Sequence, residues 1–398
     1  MNTFRLVAPR ELRIEPGTFR RLVELVQSEG YHQPILITGG RSVRGREEWG
    51  IVTDSFLARG LPFLEFTVRG EPGPDLVNDT VREIVTDAPQ SDVVVAVGGG
   101  SAIDAAKAVA AGVATVTSAG SAAAGGAAAR TFDITHYLEG VGTVGPSGDT
   151  LPVIAFPTTA GTGTEATMNA VISRVGPGGF KKSLRHPGFV PRMAVIDTDL
   201  HENCPVEVTR ASGLDAITQL LEPYLSTKAN PVTDALAILG LSRAGKAFPR
   251  LLAGDDEPEL RSEMALAAYL SGVCLSNAGL GVIHGFASPL GALRDIPHGV
   301  VCGMLLAPVL RRTLDGTYIA PRGDAGERLD DISRALGAGG SAEALVDLVA
   351  DWAAPLGRLG DYGFTREDLR DVVAGTGLKN YPVAIDPEEL NEILGEVL

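Results

Sequence analysis

The 398-residue chain is 44% hydrophobic and carries a formal net charge of -15. That length suffices for two cores of ordinary size and excludes a small stapled scaffold; the acidic balance excludes non-specific nucleic-acid binding, which needs basic surface against phosphates. Cys204, Cys274 and Cys302 lie far apart with no CxxC spacing, so neither a disulfide framework nor a cysteine metal site is expected.

In chain order, MNTFRLVAPRELRIEP lacks the uninterrupted apolar run of a signal peptide, and the small-residue tract around 105–130 is too weakly apolar to span a bilayer. A cytoplasmic protein with no membrane partner is expected. After a strand-like piece, PGTFRRLVELVQSEG reads as a helix bounded by Pro16, Gly17 and Gly30. QPILITGG is a strand ending at Gly39 and Gly40, RSVRGREEWGIVTDSFLARG one helix ending at Gly60, FLEFTV a strand and DLVNDTVREIVTDAP a helix. This alternation predicts a mostly parallel sheet.

DVVVAVGGGSAIDAAKAVAAGVA then reads as a buried strand, a glycine turn and a helix. Gly98, Gly99 and Gly100 either let backbone N–H groups cradle a phosphate at the positive helix end or form a plain tight turn. Ser101 is placed to cap that helix, with Asp104 completing a pattern like a capping box. Residues 119–148 read as loop and connection. LPVIAF is a strand, and the hydroxyl-bearing PTTAGTGTEAT after it is either a donor-rich ligand loop or a solvated one. PRMAVIDTDL is the last strand expected; beyond it, five segments carry three-to-four-residue apolar spacing. The predicted organisation is an α/β domain over 1–200 and a helical domain over 201–398, divided between Asp197 and Val206.

GGGSAIDAAKAVA, PTTAGTGTEAT, ASGLDAITQLLE and GVIHGFASPLGALRDIPHGV, in this order, resemble the iron-containing (group III) alcohol dehydrogenase family. The resemblance implies an N-terminal dinucleotide-binding α/β domain, a helical C-terminal domain, and a cleft between them holding a divalent metal, Fe2+ or Zn2+. The pyrophosphate would lie on Gly98, Gly99, Gly100 and Ser101, in a cofactor set that includes Asp104. Thr158, Thr159 and Thr162 would line its path, and Lys181, or Lys182 one residue on, would stand near the nicotinamide ribose.

The matching metal and catalytic positions are Asp215, His284 and His298, with Gln219 where the family usually has a further histidine. Asp215 and Gln219, four apart, share a helix face, and a glutamine carbonyl oxygen can ligate a divalent ion. The plain alternatives are core or surface histidines for His284 and His298, and a hydrogen-bonding role for Gln219. Ser288 stands where many relatives carry a cleft histidine; serine is no base near neutral pH, which leaves water or the cofactor ribose as proton route.

No carboxylate follows the second strand to bond an adenosine ribose. With Gly39 and Gly40 there and Arg41 and Arg44 nearby, NADP(H) is favoured over NAD(H). Asn169 matches a cleft-lining position, and Arg294 serves either an anionic substrate group or a carboxylate bridge between domains. The expected activity is NAD(P)H-dependent reduction of a small aldehyde, of the anionic phosphonoacetaldehyde type, by a homodimeric enzyme. A dehydroquinate synthase-like lyase or cyclase and a catalytically degenerate nucleotide-binding member are the rivals.

Overall fold

The computed structural model describes residues 3–118, 130–315 and 325–398, so the first part of the expected connection at 119–148 lies outside the described residues. The N-terminal half alternates strand and helix: β1 (Glu11–Ile14), α1 (Leu22–Ser28), β2 (Pro34–Thr38), α2 (Arg41–Arg44), α3 (Glu47–Ala58), β3 (Leu64–Thr67), α4 (Pro74–Asp87), β4 (Val93–Gly98), α5 (Gly100–Ser118), β5 (Val153–Pro157), β6 (Asn169–Arg174), β7 (Phe180–Arg185) and β8 (Met193–Ile196). Six of these strands form one sheet in the order β1-β8-β5-β4-β2-β3, every pairing parallel.

The β-branched run of β4 explains its central place. Val93, Val95 and Val97 enter the core on one face while Val94 and Ala96 enter the core on the other, so a continuous apolar run satisfies two buried faces at period two. The chain leaves β2 outward to β3 and returns on the other side as β4, which makes the carboxyl ends of β2 and β4 a topological switch point. Gly39 and Gly98 meet there, with the Gly39 N–H donating to Val97 O at 2.9 Å.

The second half is helical: α6 (Val206–Leu225), α7 (Pro231–Leu252), α8 (Pro258–Ala278), α9 (Val282–Leu293), α10 (His298–Asp315), α11 (Ala325–Leu336), α12 (Ala342–Ala353), α13 (Asp368–Gly375) and α14 (Pro387–Glu396). Its core reaches across to Ala166, Ala194 and Ile196 of the α/β half. No single helix among the described residues is long and apolar enough to cross a membrane.

Three local expectations change. The helix expected from 41 to 60 is two, because Arg46 is extended (φ -84°, ψ 149°). Its guanidinium donates to the carbonyls of Asp199, Leu200 and Glu202, pinning the break to the chain leaving the sheet. The antiparallel hairpin β6–β7 is not anticipated by the sequence reading, since its strands are short and rich in charge on their outer faces. Finally, α5 begins at Gly100, so Ser101 lies inside the first turn and is not its cap. Asp104 turns its carboxylate toward the Lys107 ammonium, 3.8 Å away, rather than back along a capping box.

Candidate active site

The two halves enclose a cavity of about 210 Å³. Gly100, Ser101 and Thr162 line it from the switch-point side, Asn169 and Lys181 from the hairpin, and Gln219, His284, Ser288 and His298 from the helical side. Residues almost 200 positions apart therefore face one space.

On the α/β side, tight backbone approach dictates the sequence. A Cβ on Gly98 would stand 2.7 Å from Ala102 Cβ and 2.9 Å from the Gly39 nitrogen, and one on Gly100 would stand 2.5 Å from Thr162 Oγ1. Glycine leaves the N-terminal N–H groups of α5 open to an anion. Thr159 packs against the same turn, its Oγ1 3.2 Å from where a Gly99 Cβ would be, and the Thr158 N–H donates to Gly98 O at 3.0 Å. Lys107, fully buried, holds the following loop by donating to Thr164 O, Thr167 O and Thr167 Oγ1 at 2.8 to 3.1 Å. Burial raises the Asp104 carboxyl to about 7 against the pull of Lys107, so Asp104 is a buried, easily neutralised neighbour of the phosphate turn.

The hairpin settles which lysine faces inward. Lys181 is buried and pairs with Glu71, whereas Lys182 is exposed. Asn169 Oδ1 is buried without a partner among the described residues, an acceptor left facing the cavity.

On the helical side, Asp215, His284, His298 and Cys302 each offer one donor atom, all within 4.8 Å of one another. Both His284 Nε2 and His298 Nε2 stand 3.6 Å from Asp215 Oδ1. That carboxylate oxygen and His298 Nδ1 are buried and accept or donate no hydrogen bond within the described structure. A buried, unsatisfied carboxylate oxygen facing two imidazoles is costly unless a cation completes it, so the donor set fits a divalent metal. Cys302, which the cysteine spacing did not single out, lies in this cluster. It follows His298 by one helical turn of α10, which carries its sulfur to the same point.

Gln219 lines the cavity while its amide nitrogen donates to Thr162 O at 2.7 Å and Ser271 Oγ at 2.8 Å. A carbonyl oxygen only accepts, so this pairing fixes which end of the amide faces the loop. Gln219 thereby ties α6 to the turn that lines the phosphate side.

Glu222 was missed from the sequence. It accepts from His284 Nδ1 at 2.6 Å and from the Ile283 N–H at 2.7 Å, so His284 presents Nε2 to the cluster. The available signal was spacing, since Asp215, Gln219 and Glu222 recur at four and three residues on one face of α6. Carboxylates behind ligating imidazoles fix tautomer and ring orientation. Glu222→Gln is expected to weaken zinc binding about 10–100-fold, measured by competition with a chelator; unchanged affinity would remove this role.

Two cationic residues fall elsewhere. Arg294 does not line the cavity: its guanidinium donates to both Asp368 oxygens at 3.1 Å and lies over the Phe364 ring. The partner carboxylate belongs to the same helical half, so the carboxylate bridge between domains is not formed by this pair. Arg44 pairs with Glu65 and donates to Thr67 Oγ1 at 2.8 Å.

The parallel sheet and glycine turn form an α/β domain joined to a helical domain that carries the facing donor cluster. The family description "Iron-containing alcohol dehydrogenase" matches residues 9–198, and "Fe-containing alcohol dehydrogenase family, C-terminal" matches 209–396. The chain belongs to the iron-containing alcohol dehydrogenase family. It is 32% identical over 369 residues to lactaldehyde reductase of Escherichia coli K12, covering 89% of this chain and 87% of that one. A crystal structure of 1,3-propanediol oxidoreductase superposes with a TM-score of 0.83 at 25% identity, covering 100% of both chains. Sulfoacetaldehyde reductase from Bifidobacterium kashiwanohense, solved in complex with NAD+, gives a TM-score of 0.81 at 25% identity, covering 100% of this chain and 99% of that one. These relatives are alcohol dehydrogenases and aldehyde reductases, and the chain is an oxidoreductase of that class.

Proposed function

We propose that this protein interconverts a small aldehyde and its alcohol with a nicotinamide dinucleotide, using Asp215, His284 and His298 to hold a divalent ion. The observation that carries this reading is the single cavity shared by the glycine turn of α5 and the histidines of α9 and α10. A bound ion would supply Lewis-acid polarisation of the carbonyl, and the dinucleotide the hydride. The chain's own part is positioning. The α5 turn offers N–H donors to the pyrophosphate, with Thr158, Thr159 and Thr162 beside it; Lys181, steadied by Glu71, lies at the cavity wall; Asn169 presents a free acceptor. Ser288 leaves the cavity without a basic side chain at that point, so water or the cofactor ribose hydroxyl carries the alcohol proton.

The test is aldehyde-dependent oxidation of NADPH or NADH by the full-length protein before and after removal of metal with a chelator. Full turnover in a metal-free sample would defeat the metal reading. Net cofactor consumption separates a dehydrogenase from a lyase or cyclase of the dehydroquinate synthase type, which regenerates its cofactor. Binding of dinucleotide without turnover would favour the degenerate member.

NADP(H) is the preferred dinucleotide in this reading, because Gly39 and Gly40 follow β2 with no carboxylate and Arg44 stands one turn on. Glu65 of β3, paired with Arg44, favours NAD(H) as the second reading, since it takes up the guanidinium that a 2′-phosphate would need. Arg44→Ala should lower kcat/KM for NADPH selectively; equal loss with both cofactors would favour NAD(H). A homodimer in the cytoplasm belongs to the same reading, with its assembly checked by light scattering.

The expectation of a phosphonoacetaldehyde-like substrate rests on Arg294, and the Arg294–Asp368 pair withdraws that support. Lys181 and Lys379 are the cations left at the cavity wall for an anionic group. Arg294→Leu is expected to change KM for phosphonoacetaldehyde and for a neutral aldehyde of equal length by the same factor. A selective rise for the phosphonate would restore Arg294 to the substrate site.

A further inference from the structure

We propose that Cys302 is a direct ligand of the metal centre, a fourth donor beside Asp215, His284 and His298. The inference rests on reading Asp215, His284 and His298 as a metal site, and adds a ligand whose chemistry alters metal choice.

The geometry comes from two elements. His284 descends from α9, its Nδ1 locked by Glu222, so Nε2 has one direction available. His298 and Cys302 are four residues apart on α10 and share its face. Cys302 Sγ lies 3.8 Å from both His284 Nε2 and His298 Nε2. Tetrahedral coordination with Zn–S about 2.3 Å and Zn–N about 2.05 Å places sulfur and nitrogen about 3.6 Å apart, and nitrogen and oxygen about 3.3 Å apart. The observed 3.8 Å and 3.6 Å separations exceed those values by a few tenths, as donors do before an ion draws them together.

Gln219 supplies the complementary half of the argument. Its amide nitrogen is engaged by Thr162 O and Ser271 Oγ, and a neutral amide carbonyl is a weak ligand beside a thiolate. The cysteine thus completes a four-donor set by one turn of α10, while Gln219 serves the contact between α6 and the nucleotide loop. On metal uptake the thiol proton passes to solvent and a sulfur–metal bond forms, with no change of oxidation state. Thiolate is soft, so this set of one aspartate, two histidines and one cysteine should favour zinc over iron more strongly than a set of one aspartate and three histidines.

The test uses the full-length protein stripped with a chelator and refilled with cobalt(II) as the only probe. Expected are one cobalt per chain, visible ligand-field bands, and an intense near-ultraviolet sulfur-to-cobalt charge-transfer band. Cys302→Ser should still take up cobalt, at least about tenfold more weakly, and lose only the near-ultraviolet band. Gln219→Leu should keep that band. The wild-type spectrum carries the test even if a variant misfolds, because Cys204 and Cys274 lie outside the cluster. Cobalt uptake with visible bands and no charge-transfer band would overturn the cysteine ligand and leave the metal centre standing. Absence of cobalt uptake would overturn the metal-centre reading itself.

Discussion

Asp215→Asn is expected to reduce kcat/KM by about 10³, and to lower bound metal well below one ion per chain. The carboxylate is buried and its Oδ1 has no hydrogen-bond partner among the described residues, yet two imidazole nitrogens stand 3.6 Å from it. Asparagine keeps the shape and removes the charge that makes a divalent ion stable there. Loss of Lewis-acid assistance is worth several kcal/mol in the transition state, and about 4 kcal/mol corresponds to the stated factor. The unfolding midpoint of the metal-free protein should fall as well, because against the cost of burial the His298 and His284 imidazoles hold this carboxyl below its usual range. Metal content by mass spectrometry and steady-state kinetics are the measurements; stoichiometric metal with unaltered kcat/KM would remove Asp215 from the ligand set.

Gly163→Ala carries the second large effect, and it acts on the contact between the halves. Gly163 has φ 56° and ψ 25°, a left-handed conformation that costs an alanine about 1–2 kcal/mol. Its Cβ would also collide with Ala268 O and fall 2.6 Å from the Gly272 nitrogen, both backbone atoms of α8 that have no rotamer by which to yield. Overpacking of this kind adds about 1–3 kcal/mol. The summed loss of about 2–5 kcal/mol should lower the thermal midpoint. It should also weaken dinucleotide binding, because Thr162 beside it lines the cavity and is held by Gln219. Gly272→Ala isolates the packing part, since its Cβ would collide with Gly163 O. Full stability and cofactor affinity in both variants would show that the interface tolerates separation.

The fold was legible because its signals are local. The apolar run 93–97 with glycines after it, and the three-to-four-residue periodicity beyond Val206, depend only on residues within a few turns of one another. The β6–β7 hairpin escaped because NAVISR and FKKSLR mix charge with short apolar alternation, and only pairing with each other and burial against α5 and α9 makes them strands. Arg46 breaking its helix has the same cause: its three carbonyl acceptors lie more than 150 residues away.

At the candidate site, sequence by itself determined the residue types and their order: a glycine turn, hydroxyls after β5, an aspartate and two histidines on helices. It also exposed the departures at Gln219 and Ser288. Tertiary structure decided which side chains meet. It brought Cys302 to the histidines, put Glu222 behind His284, turned Lys181 inward and Lys182 outward, and drew Arg294 away to Asp368. Coordination and pairing depend on directions in space, and a helix face or strand alternation specifies direction only within its own element. Where two elements cross is fixed by packing of the whole core.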